Sequence, residues 1–76
     1  MHIMPNHLEL GDRVKVRLDS NFWRSQGWFE GVVTGVQPYS QHRRFYWIEL
    51  DQDVEGTDGG RTRFVTVFNP SNFQKL

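Results

Sequence analysis

The chain of 76 residues has no cysteine, which excludes a disulfide framework, a thiolate metal cage and a cysteine nucleophile. It has no net charge either, since nine Lys and Arg stand against nine Asp and Glu. That balance argues against a generic polyanion binder while leaving room for a local basic patch. No apolar run approaches the ~20 residues of a membrane-spanning helix. The opening Met1-His2-Ile3-Met4-Pro5-Asn6 lacks the marks of a signal peptide, so a soluble, cytoplasmic protein without a membrane partner is expected. Long helical periodicity, repeats and low-complexity segments are missing too. A chain of this length makes one domain that buries only ~60% of its unfolded surface. Aromatic residues are plentiful at 14%, three of them Trp, and much of the core must come from these rings.

From Asp12 onward the period is two. Arg13-Val14-Lys15-Val16-Arg17-Leu18 alternates strictly, with three cations on one face and three apolar residues on the other, which is the pattern of a half-buried antiparallel strand. After a loop carrying Phe22 and Trp23, a second strand is expected over about 28–36, where Gly31 and Gly35 mark a tight bend. A third strand covers about 44–50 and a fourth about 62–68. Between these two, the acidic, Gly-rich stretch 51–60 reads as a loop. Asn69-Pro70-Ser71-Asn72 suits one helical turn, with Pro at the first position and Asn as cap, and 73–76 supplies a last short strand. The expected core is Val14, Val16, Leu18, Val32, Tyr46, Ile48 and Leu50, while the pattern leaves Trp28 open between core and surface. Pro5 and Asn6 break any strand near the start, so residues 1–9 are expected to be a flexible segment and residues 10–76 the folded domain. The fold class is all-β, a single small barrel of about five antiparallel strands.

Four segments resemble the Src-homology-3-like barrel superfamily, which includes Tudor, Agenet and KOW domains. They are Leu10-Gly11-Asp12-Arg13-Val14-Lys15-Val16, Gly27-Trp28-Phe29-Glu30-Gly31-Val32-Val33, Tyr46-Trp47-Ile48-Glu49-Leu50-Asp51, and the closing stretch 67–76. The resemblance implies the fold and leaves function open, because these barrels bind peptides, methylated side chains, nucleic acids and other subunits. Pro70-Ser71-Asn72-Phe73 is similar to the segment with which such domains grip polyproline, but Phe73 replaces the Tyr whose hydroxyl would bond the ligand. A Tudor-like cage for a methylated cation would draw two walls from Phe22 or Trp23 with Trp28 or Phe29, yet 49–53 supplies no further aromatic. The opening also resembles that of the plasmid-borne dihydrofolate reductase, a tetramer. Its pore segment would fall on Val65-Thr66-Val67-Phe68, without the required Gln and Tyr.

Glu49 should face water, which would turn Phe45 and Trp47 outward; Val65 and Val67 read as a core pair, which turns Phe64 and Phe68 outward. Trp23, Trp28, Phe45, Trp47 and Phe68 therefore form the leading candidate contact, for a protein partner or a second copy of the chain. The alternative is nucleic acid, with Arg13, Lys15, Arg17, Arg43 and Arg44 on phosphates and an aromatic on the bases. Against it, Asp12, Glu30, Glu49 and Asp51 are available to pair with those cations across strands. Asp51, Asp53 and Glu55 have the alternate spacing of a calcium loop, but the twelfth position is Thr62 rather than a bidentate Glu. No nucleophile elbow, phosphate loop or dinucleotide fingerprint is present. The expectation is a binding module with no cofactor and no catalysis.

Overall fold

The computed structural model describes residues 8–38, 40, 41 and 43–76. Five strands follow in order: β1 (Arg13–Leu18), β2 (Gly27–Pro38), β3 (Arg44–Glu55), β4 (Arg61–Val67) and β5 (Phe73–Lys75). One 3-10 turn, Pro70–Asn72, precedes β5, and its cap Asn69 accepts a hydrogen bond from the Ser71 N–H. The strands make a single antiparallel sheet in the order β4-β3-β2-β1-β5. The described residues are thus all-β, and their only helical piece is three residues long.

The sheet is strongly curled. β3 and β5 are separated by β2 and β1, which in a flat sheet would hold them roughly 14 Å apart. Instead the Tyr46 ring of β3 meets the Phe73 ring of β5 edge-on, with centroids 5.4 Å apart. Inside the curl lie Val14, Val16 and Leu18 of β1, Val33 of β2, and Tyr46, Ile48, Leu50 and Val54 of β3. Val65 and Val67 of β4 and Phe73 of β5 complete the wall, and Leu8 fills the space from outside the sheet. The curl depends on Gly31, which pairs with Val14 on one side and Leu50 on the other. A Cβ at this position would lie 2.9 Å from the Leu50 Cα, so β2 and β3 can cross this closely only where no side chain intervenes.

Three sequence expectations are corrected. Val32 is not in the core; Val33 is. Gly31 stands opposite inward-facing Val14, so alternation turns Val33 inward and leaves Val32 half-buried on the outer surface. The segment 51–55 is strand rather than loop, because Val54 is fully buried and pairs with Thr62 across a wide bulge. Leu8, expected within a flexible segment, is only 1% exposed, and its N–H donates to the Tyr46 hydroxyl at 3.1 Å. Residues 1–7 of that segment lie outside the described residues, and the Glu9 N–H donates to Asp12 Oδ2 at 2.8 Å.

Candidate functional site

Two places on the surface collect side chains that the core does not use. The first is the outer face of β3 and β4. The β2–β3 register skips Thr34 as a bulge, so that Gly35 opposes Trp47, and the Thr34 hydroxyl donates to the Trp47 carbonyl at 3.3 Å. Gly35 lets the indole lie across the β2 backbone, since a Cβ there would come within 3.2 Å of the ring. The strand period then aligns the outward residues of adjacent strands. Gln37 opposes Phe45, Gly35–Trp47–Thr66 form the next row, and Val32–Glu49–Phe64 the one after. Phe68, just beyond β4, closes the patch against Phe45 with ring centroids 5.4 Å apart. Trp47, Phe64 and Phe68 remain 39%, 61% and 45% exposed.

The five aromatics expected to form one contact therefore divide. Phe45, Trp47 and Phe68 share this face, and Phe64 joins them. Trp28 lies on the β1–β2 half, opposite Arg17, where it is exposed and covered from one side by Lys15, whose Nζ sits 5.2 Å from the ring centroid. That settles its position on the surface. Trp23 is half-buried in the β1–β2 loop and packs on the core.

The cations of β1 are engaged. Arg13 makes a two-pronged hydrogen bond to Asp51, at 3.0 and 2.7 Å, and approaches Glu30 at 3.6 Å. The hydrogen bond from Arg13 holds the Asp51 carboxyl below its ordinary range, and the same bond raises the Arg13 guanidinium. Lys15 is on Trp28, and Arg17 reaches the Asn72 side chain at 3.3 Å. Arg43 and Arg44 precede or begin β3, with no ion pair among the described residues. The five-residue basic set is therefore not a single surface of available charge. The acidic stretch has a comparable explanation: Asp51 bonds Arg13, Asp53 bonds Arg63 at 3.0 Å, and the Glu55 backbone is tied to Arg24 and Ser25. Among the described residues no group of three or more carboxylates or imidazoles is placed to hold a metal ion, and Asp51, Asp53 and Glu55 stand on a strand instead of a calcium loop.

The second place is a cleft of about 440 Å³ between the β1–β2 loop and the β3–β4 hairpin. Phe22, Trp23, Gly56, Thr57, Asp58, Gly60, Arg61 and Thr62 line it. The loop is fastened to the hairpin by its backbone. Arg24 N–H and Ser25 N–H donate to the Glu55 carbonyl at 2.8 and 3.2 Å, and Thr57 N–H donates to the Phe22 carbonyl at 3.0 Å. The Ser25 hydroxyl accepts from Glu55 N–H at 2.9 Å, and Trp23 bridges to Gly56. A cage would need Phe22 or Trp23 with Trp28 or Phe29; the cleft holds the first pair without the second. No sequence signal announces this cleft, because its two halves are some thirty residues apart and meet through backbone hydrogen bonds and the Ser25 hydroxyl.

Comparison with family models, with curated proteins and with solved structures finds no match to the chain.

Proposed function

We propose that the chain is a non-enzymatic binding module, a small barrel of the Src-homology-3-like kind, that grips a protein partner through the outer face of β3 and β4. The observation that carries this reading is the convergence of Phe45, Trp47, Phe64 and Phe68 on one face, on the side opposite a core that is already complete without them. Aromatic rings give a contact a large apolar area at little entropic cost, and Trp and Tyr dominate binding hot spots. Trp47 is the natural anchor, because its ring packs closely against the bare Gly35 backbone, a contact that reduces the ordering cost of binding. Glu49 at the margin and Arg44 at the start of β3 would fix register rather than strength. The working compartment under this proposal is the cytoplasm.

A photo-crosslinking side chain placed at Thr66, in the centre of the patch, tests the reading. It should capture a discrete partner band in cells, lost when Trp47 is also changed to Ala, while the circular dichroism spectrum of that variant stays the same. Equal capture from Gln74, on the far border strand, or loss of fold in Trp47→Ala, would defeat the assignment.

A further inference from the structure

The cleft between the β1–β2 loop and the β3–β4 hairpin is a separate site, and its chemistry differs from that of the aromatic face. Phe22 is 70% exposed although the backbone on either side of it is bonded down, so its ring is held in water without a packing role. Beside it, Trp23 forms a half-buried wall. The charges in the lining are one of each sign. Asp58 spends Oδ1 on the Gly60 N–H at 2.9 Å, and its other oxygen has no partner among the described residues. Arg61 also lines the cleft, and its guanidinium has neither hydrogen bond nor ion pair among the described residues. Arg24, exposed and next to Trp23 in the chain though outside the lining, has no side-chain hydrogen bond or ion pair among the described residues.

Arg61 in the lining has no ion pair among the described residues and repels a small cation, which argues against reading the two aromatics as half of a cage. What fits two ring faces, one acceptor and one or two unpaired cations is a planar ring with donor groups on its edge and an anion attached. We propose that the cleft binds one nucleotide of a single-stranded nucleic acid. The base stacks on Phe22, its exocyclic amino group donates to Asp58, and Arg61 and Arg24 neutralise the flanking phosphates. The volume suits one nucleotide, since small-ligand sites run from about 300 to 1,000 Å³. Stacking tolerates any base, whereas a carboxylate acceptor selects bases that carry an amino group, cytosine being the simplest case. The site therefore prefers cytosine over thymine. Nothing in this assignment uses Trp47 or its neighbours, so it stands or falls independently of the protein-binding face.

The test is fluorescence anisotropy with labelled six-nucleotide oligo-dC and oligo-dT at about 50 and 200 mM salt, the range over which phosphate contacts show their salt dependence. The expected result is tighter binding of oligo-dC, weakened ~5- to 150-fold by Phe22→Ala, the range of one base's stacking. Asp58→Asn should erase the preference for dC, and Arg61→Gln should lower the salt slope by about 0.7, the value for one single-strand phosphate contact. Trp47→Ala should leave all of these values unchanged. The amide spectrum of each variant keeps folding in view, and Phe22, being exposed, can be cut back without opening the core. Binding indifferent to Phe22→Ala, a preference for dT, free cytidine monophosphate binding as tightly as the strand, or displacement by a trimethyllysine peptide would each overturn the proposal.

Discussion

Leu8→Ala tests most directly how the curled sheet is closed. Leu8 precedes the first strand, yet it is 1% exposed and belongs to the core cluster. Truncating a fully buried Leu costs about 2–5 kcal/mol, depending on how far the cavity collapses. A chain of 76 residues has a total stability of roughly 4–11 kcal/mol, so this one change should remove a large share of it. In a domain of this size each kcal/mol corresponds to ~4–8 °C, and the Tm should fall by ~8 °C or more. Tyr46→Phe attacks the same contact from the other side. It leaves the Leu8 N–H, which donates to the Tyr46 hydroxyl, without that acceptor, at a cost of about 1–3 kcal/mol. Urea unfolding followed by Trp fluorescence measures both. In a chain shortened to begin at Glu9, Tyr46→Phe should lose the share of its cost that runs through Leu8. A Leu8→Ala Tm within about 1 °C of the parent, against the ~8 °C expected from burial, would refute the placement of Leu8 as a core residue.

Gly31→Ala should destabilise by about 1–3 kcal/mol, the usual cost of overpacking, because the added methyl meets β3 backbone at Leu50 rather than a movable side chain; a variant as stable as the parent in urea would show that the strands do not cross so closely. Asp51 is held below its ordinary pKa by the hydrogen bond from Arg13, so its stabilising contribution is complete above the ordinary carboxylate value of about 3.9 and is lost as pH falls through the lowered one. A carboxyl-detected NMR titration should find that lowered midpoint and see it return to the ordinary range in Arg13→Gln. Asn69→Ala removes the acceptor of both Ser71 N–H and the Ser71 hydroxyl and should cost about 0.5–2 kcal/mol, as loss of a helix cap does; unchanged urea midpoints would show that the turn is held from elsewhere.

Local pattern made β1 legible to the residue, since a strict alternation of cations and valines has one half-buried solution. The outward turn of Trp47, Phe64 and Phe68 followed from the same parity. The reading failed where a strand's identity depends on distant partners. Residues 51–55 carry three carboxylates and one Val, which locally describes a loop. They are strand because Arg13, 38 residues away, bonds Asp51, Arg63 bonds Asp53, and Val54 reaches the core. The local pattern puts Val32 in the core instead of Val33 for a different reason: the preceding Gly31 has no side chain to show its face, and only pairing with Val14 decides which valine enters the core. Leu8, isolated among polar neighbours, gave no pattern at all.

The charge balance conceals a similar division. The nine cations cancel nine anions in the sequence, but in space they separate into two groups. Arg13, Arg63 and Lys75 are in ion pairs, Lys15 lies on Trp28 and Arg17 on Asn72. These interactions run between strands and along the borders of the sheet, where exposed pairs add ~0–1 kcal/mol each and mainly fix register. Arg24, Arg43, Arg44 and Arg61 have no ion pair among the described residues, and each lies in a loop or at the first residue of a strand. A cation that holds the fold together is already neutralised and has little left to offer an anion, whereas one at a loop keeps its full field. A net charge of zero therefore excludes only a protein that coats itself with polyanion. It is compatible with a site for one nucleotide at the loops, and that site should weaken through Arg61 and Arg24 while substitution of Arg13 costs stability at neutral pH instead.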